Sequence, residues 1–296
     1  MILSVNNIHK SYGNEEVLKG VSFDIHNSEI VALVGPNGSG KSTLLNIINN
    51  LLPANKGKVT ILGRSNKDPE IFRKISFMQD NTVLYDYLSG YDHLQFIGDL
   101  QGITKKHIFE TAERIGIDGY LNKKVGHYSL GMKQHLLLAM ALINKPELMI
   151  LDEPLNGLDP TSAIKIRELL LELAEQGTAI LLSSHNLSEI DKVTSDILFL
   201  KNGTLIQEDL SAHKQVWYEI KVMDVDVEIT RFILSEANIT TKFEGNRLYI
   251  CLKNENLQYI FGILKLHNIV VLDIEKKILG TEERYKKIFF SSGTFS

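Results

Sequence analysis

The residues Gly35, Pro36, Asn37, Gly38, Ser39, Gly40, Lys41 and Ser42, followed by Thr43, constrain this chain more than any other stretch. Their spacing, G-x-x-x-x-G-K-[ST], is that of a turn that cradles phosphate, and it has meaning only between a strand and a helix. Both flanks are present. Glu29 to Val34 reads as a short buried strand, and Leu44, Leu45, Ile47, Ile48, Leu51 and Leu52 recur at helical spacing until Pro53. Backbone N–H groups of such a turn and helix start point at phosphate oxygens. Lys41 then reaches the terminal phosphates as a point charge, and the Ser42 hydroxyl is placed to hold Mg²⁺. The plainer alternative, a glycine-rich surface turn with one solvated lysine, does not account for the strand and helix around it.

With 296 residues the chain is long enough for a large core and for two domains. A net charge of -4 gives no general pull toward nucleic acid or anionic membrane. The single cysteine, Cys251, rules out an internal disulfide and a thiolate metal cluster, so a reducing compartment is expected. No secretory apolar segment opens the chain. The most apolar run, Leu136 to Ile143, is too short to span a bilayer, so we expect no transmembrane segment and any membrane role to pass through a partner. All 6 prolines lie at or before Pro160, which suggests a second domain at the C-terminal end; a boundary is expected near Leu210 to His213.

Taken in order, Ile2 to Val5 and Val17 to Ile25 read as strands about the Gly13-Asn14 turn, and Lys58 to Leu62 as another, forming an antiparallel edge sheet. Tyr12 sits before the first turn; an aromatic there can stack on adenine, though a core or turn tyrosine is the commoner case. Ile75 to Met78 reads as a strand ending at Gln79, which can reach a phosphate or a Mg²⁺ shell or be a polar terminus only. From Tyr87 to about Asn122 the pattern is helical, with Tyr91 and Leu94 on one side and Ile108, Ala112 and Ile115 in a second helix. Ser129 is an N-cap candidate, and Gly131 behind it leaves the helix start open to an anion. Leu148 to Leu151 runs into Asp152 and Glu153, carboxylates at the strand end where open α/β sheets bind ligands. Asp152 suits Mg²⁺, and Glu153 can polarise a water for attack on phosphate. Asp159 reads as the N-cap of a helix from Thr161 to Gln176. Thr178 to Ser184 is a buried strand with His185 at its end, placed to hydrogen-bond a γ-phosphate.

With Tyr12, the phosphate loop, Gln79, Ser129-Leu-Gly131-Met, Leu151-Asp-Glu153, Leu158-Asp159 and His185 in this order, residues 1–210 resemble the nucleotide-binding subunit of an ABC transporter. The resemblance implies a P-loop NTPase core of ABC type with a helical insertion over about 81–145. In family terms the stretches match the adenine-stacking aromatic, Walker A, Q-loop, signature, Walker B, D-loop and switch histidine. It also implies ATP and Mg²⁺ as ligands, with Ser42, Gln79 and Asp152 around the cation and Lys41, Glu153 and His185 in catalysis. A second ATP-binding subunit, identical or not, is implied as well, in a head-to-tail dimer where Ser129 and Gly131 meet the partner's ATP and Asp159 lies at the interface. Two departures stand out. Leu130 replaces the usual second signature glycine, as in the multidrug and antibiotic-peptide branch, and His135 stands where arginine is common, without its guanidinium fork.

Residues 211–296 read as a small α+β domain. Strands are expected at Val216 to Val222, Thr240 to Phe243, Arg247 to Leu252 and Ile269 to Ile274, and helices at Val227 to Ala237 and Leu257 to Leu266. That is the β-α-β-β-α-β, ferredoxin-like order. Trp217 reads as a packing residue. The tail, with Ile278 to Phe289 as a terminal helix, is similar to the C-terminal extension of bacterial lantibiotic and bacitracin export or immunity ATPases. The resemblance thus implies an ATPase at the cytoplasmic face of the membrane that powers a separate permease and binds no nucleic acid. A soluble ABC-class regulator is the alternative; a translation factor would carry two cassettes, and one Walker A is present.

Overall fold

The computed structural model describes residues 1–211, 216–237, 239, 241–251, 257–278 and 281–290, without the side chains of residues 216, 217, 244, 251, 277 and 278. The packing expected of Trp217 and part of the expected 210–213 boundary lie outside the described residues, as do Thr240, Leu252 and Gly280. Two compact units are present, Met1–Glu208 and Asp209–Ser296.

The first unit contains two sheets. Strands β1 (Leu3–Tyr12), β2 (Glu15–Ile25), β4 (Lys56–Ile61) and β5 (Arg64–Ser65) form an edge sheet ordered β2-β1-β4-β5, antiparallel throughout. The other sheet contains β3 (Ile30–Val34), β6 (Ile75–Met78), β7 (Leu148–Asp152), β8 (Ala179–Ser184), β9 (Asp196–Lys201) and β10 (Thr204–Asp209), in the order β10-β9-β3-β8-β7-β6. From β9 to β6 every pairing is parallel. Its central strands are apolar runs with both faces covered, and β3 is buried at every position. Leu33, Ile150, Leu181 and Leu198 of this sheet meet Leu3, Val5 and Phe23 of the edge sheet in one core. Helix α1 (Lys41–Ile48) adds Leu44, Leu45 and Ile48 to it. Each such fully buried leucine contributes roughly 1.5–3 kcal/mol.

Two of these elements differ from expectation. β1 runs on to Tyr12, because the polar Asn6-Asn7 pair that breaks the sequence alternation is accommodated as a bulge, with Asn7 at φ +51°. Helix α1 stops at Ile48, before Leu51 and Leu52. The Asn49 amide donates to the Leu45 carbonyl, Asn50 turns left-handed at φ +57°, and Leu51 is exposed.

Between β6 and β7 lie helices α2 (Gly90–Gln101), α3 (Lys105–Ile115) and α4 (Leu130–Leu142). Ser89 and Asp92 close a capping box at the start of α2, and left-handed Gly102 and Gly116 end α2 and α3. α3 buries Ile108, Ala112 and Ile115 on one face, as its period predicts. α4 is apolar on nearly all sides and buries Leu136, Leu137, Leu138 and Leu142. Helices α5 (Pro160–Glu175) and α6 (Leu187–Ile190) complete the unit.

The second unit follows the expected β-α-β-β-α-β order: β11 (Val216–Val222), α7 (Val227–Glu236), β12 (Thr241–Glu244), β13 (Arg247–Cys251), α8 (Leu257–Leu266) and β14 (Val271–Ile278), with α9 (Thr281–Phe290) after it. The sheet order is β12-β13-β11-β14, antiparallel. β14 begins and ends later than its apolar run suggested, since its register on β11 continues through Glu275 and Lys276. Ile220, Leu248, Ile250, Leu234, Ile260 and Leu264 form the unit's own core.

Candidate functional site

Parallel register brings the ends of four strands level. Val34 pairs with Ser184, Asp152 with Ser183 and Met78 with Leu151, so Gly35, His185, Glu153 and Gln79 leave the sheet side by side. Carboxyl ends of parallel strands are where such sheets bind ligands. A cavity of about 470 Å³ opens there, lined by Asn37, Gly38, Gly40, Lys41, Ser42 and Thr43 together with Asp80, Asp152, Glu153 and Asn156.

The loop is built for close approach. A Cβ on Gly35 would stand 2.6 Å from Ser39 Oγ and 2.7 Å from the Leu200 carbonyl, and Gly40 caps α1 from a φ of +102° with no side-chain partner. The N-terminal N–H groups of α1 are thus left facing the cavity mouth. Ser39 Oγ is buried against Gly35 without a hydrogen-bond partner. Lys41 is buried and donates to the Gly35 carbonyl at 2.8 Å and the Pro36 carbonyl at 3.3 Å. Burial holds its ammonium below the ordinary lysine value, against the opposing pull of Glu153 and Asp152.

Across the cavity, Ser42 Oγ donates to Asp152 Oδ2 at 3.0 Å, and Ser183 Oγ donates to Asp152 Oδ1. A serine hydroxyl and a carboxylate in contact are a hard oxygen pair of the kind Mg²⁺ takes. The Glu153 carboxylate lies 2.9 Å from His185 Nδ1 and accepts a longer bond from the His185 N–H at 3.4 Å. The Glu153 N–H donates to Ser183 Oγ at 3.0 Å, and the Gln134 amide donates to the Glu153 carbonyl at 2.9 Å.

The remaining predicted residues surround this centre. Tyr12 ends β1, half exposed, with the Lys10 ammonium 5.3 Å from its ring centroid. Gln79 is half-buried beside the cavity-lining Asp80. Ser129 caps α4 by accepting from the Met132 N–H at 3.2 Å, and Gly131 faces Gly157 and Leu158. Leu130 fills the space over Gly157, where a Cβ would run into Leu130 Cδ2. Asp159 caps α5 through the Thr161 and Ser162 N–H groups, and these bonds with that of the Ser162 hydroxyl hold its carboxyl below the usual carboxylate range. Burial pushes the His135 imidazole down, opposed by Asp159. Sequence reasoning assigned no role to Ser183, Gln134, Asn156 or Asp80; a serine closing the apolar run Ala179 to Leu182 was the available signal for the first of them.

The family model described as ABC transporter matches residues 18–156. SrtF of Streptococcus pyogenes, a lantibiotic transport ATP-binding protein, is 37% identical over 209 residues, 70% of this chain and 90% of that one. The chain belongs to the ABC transporter ATP-binding family. YhcH of Bacillus subtilis (strain 168), an uncharacterized ABC transporter ATP-binding protein, is 32% identical over 292 residues, covering 96% of this chain and 94% of its own, so its likeness extends through the second unit. The solved ATP-binding subunit of an ABC transporter superposes with a TM-score of 0.67 at 28% identity, over 72% of this chain and 92% of that one. A dimeric ATP-binding cassette in a post-hydrolysis state with ADP and phosphate gives 0.64 at 28% identity, over 71% and 99%. The protein is an ATP-hydrolysing ABC cassette of mixed α/β architecture. No helix among the described residues is long and apolar enough to cross a membrane.

Proposed function

We propose that this ATPase, working as a dimer at the cytoplasmic face of the membrane, powers a separate permease that exports peptide antibiotics or similar amphipathic compounds. Residues 1–210 would be the nucleotide-binding domain, with the insertion at 81–145, and 211–296 an accessory domain. The observation that carries the ATPase chemistry is the convergence of Lys41, Ser42, Asp152 and Glu153 on one cavity.

Lys41 exchanges the Gly35 and Pro36 carbonyls for the β- and γ-phosphates, and Ser39 with the loop N–H groups completes the cradle. Ser42 and Asp152 hold Mg²⁺, with Gln79 adding to its shell. Among the described residues no cluster of three or more His, Cys, Asp or Glu could hold a metal alone, so further ligands come from phosphate and water. When bound, Mg²⁺ neutralises charge that develops on the phosphate oxygens. Glu153 takes the proton of the attacking water, and His185, now 2.9 Å from it, orients that carboxylate and bonds the γ-phosphate. Tyr12 stacks on adenine. Ser129 and Gly131, at the open start of α4, meet the γ-phosphate of the partner's ATP, with Asp159 beside that interface. The dimeric cassette among the similar structures supports this assembly. ATP binding and dimer closure are then linked.

Similarity to a lantibiotic transport ATP-binding protein supports export of peptides. The exposed Tyr85, Tyr87, Phe96 and Leu100 around α2 suit contact with an apolar permease surface. The test is a pull-down of tagged E153Q protein with ATP from detergent-solubilised native membranes. Recovery of a polytopic permease is the expected result; recovery of ribosomes or DNA-associated proteins overturns the transport reading.

A further inference from the structure

Glu153 carries its side chain on a backbone that needs holding. Its φ of +52° lies in the left-handed region, which a residue with a Cβ keeps only where its surroundings determine it. Two side chains grip the peptide groups on either side of its Cα. Ser183 Oγ accepts from the Glu153 N–H at 3.0 Å, and Gln134 Nε2 donates to the Glu153 carbonyl at 2.9 Å. Ser183 is fully buried, and Gln134 is 7% exposed. The Ser183 hydroxyl also donates a hydrogen bond to Asp152, which sets its rotamer and turns a lone pair to the Glu153 N–H. Gln134 is a buried polar side chain near the start of helix α4, between Lys133 and His135, and its amide crosses to the end of β7 for this bond.

We propose that Gln134 and Ser183 are positioning residues that lock Glu153 in its left-handed conformation and so aim its carboxylate. The proposal rests on Glu153 being the base. Freed of either bond, the Glu153 backbone can relax toward the extended region, and the carboxylate swings away from His185. The helix that begins at Ser129 and Gly131 also carries Gln134. A nucleotide of the partner subunit pressing on the start of α4 would therefore be felt, through one amide, at this chain's own Glu153.

The test is single-turnover and steady-state ATP hydrolysis by the full chain, in a double-mutant cycle of Q134M with E153Q. Methionine keeps the size of glutamine and removes the donor. Q134M should lower kcat by about 10–100-fold, the scale of a misplaced catalytic group, with KM for ATP within about threefold of wild type. In the E153Q background the same change should cost less than about twofold, because Gln134 acts through Glu153. Equal losses in both backgrounds, or a kcat of Q134M within twofold of wild type, overturn the proposal. Wild-type hydrolysis by E153Q would instead sink the assignment of the base and leave nothing for the clamp to position. If Q134M does not bind a fluorescent ATP analogue, S183A takes its place; the part of its loss that vanishes in the E153Q background is the part that runs through Glu153. Loss of nucleotide binding in both variants marks the pair as structural and overturns the proposal.

Discussion

The two units bury apolar cores in similar ways but treat their polar groups oppositely. In Met1–Glu208, parallel strands β3, β6, β7 and β8 all end at one edge, so Gly35, Gln79, Asp152, Glu153 and His185 are gathered by topology. In Asp209–Ser296, neighbouring strands run in opposite directions, and their polar residues spread along both ends of the sheet. There Glu219 and Arg247 pair across adjacent strands at 2.7 Å, on a sheet whose core lies against α7 and α8. A parallel sheet concentrates polar groups at one edge, while in the antiparallel one the described pair Glu219–Arg247 lies across the strands instead.

Core truncation sharpens that contrast most. Leu33→Ala and Leu234→Ala, both at sites with no exposure, should each cost about 2–5 kcal/mol in urea unfolding. Only the first should also weaken ATP binding, because β3, which carries Leu33, leads straight into the phosphate loop. Equal damage to nucleotide binding by both would erase the distinction between the units. A smaller effect is expected from Lys41→Met, which should lower ATP affinity by an amount on the order of 1.5–3 kcal/mol, the value of a charge-assisted bond. Arg247→Met in the second unit should leave affinity within twofold, read by nucleotide fluorescence titration.

How these groups meet was only partly legible in the chain. The phosphate loop, the Asp152-Glu153 strand end, the Ser129 and Asp159 caps and the α3 face arise from spacing and local hydrogen bonding, so sequence shows them. The bulge at Asn7 and the left-handed stop at Asn50 do not, since asparagine tolerates both helical hands and neighbours decide. Nor does the conformation of Glu153, whose φ of +52° depends on Gln134 from a helix and Ser183 from another strand. Such bonds between elements distant in sequence leave no periodic trace.

The smallest predicted cost in stability concerns the insertion. Ser89→Ala removes one arm of the α2 capping box and should cost about 1 kcal/mol at pH 7. Bonds from the Ser89 hydroxyl and N–H hold the Asp92 carboxyl below its usual range. A depressed carboxyl contributes fully above its unfolded value of about 3.9 and loses that contribution as pH falls through its lower folded value. The Ser89→Ala penalty should therefore shrink below about pH 4; a penalty that persists there would detach it from Asp92.

In the proposed function, catalysis turns on Glu153 acting on a nucleotide held by the loop from Gly35 to Thr43. The most direct test is to measure ATP binding and single-turnover hydrolysis of E153Q against wild type under identical Mg²⁺. Unchanged binding with hydrolysis slowed by about 100-fold or more is the predicted result. Hydrolysis at the wild-type rate, or loss of ATP binding with the substitution, would contradict it.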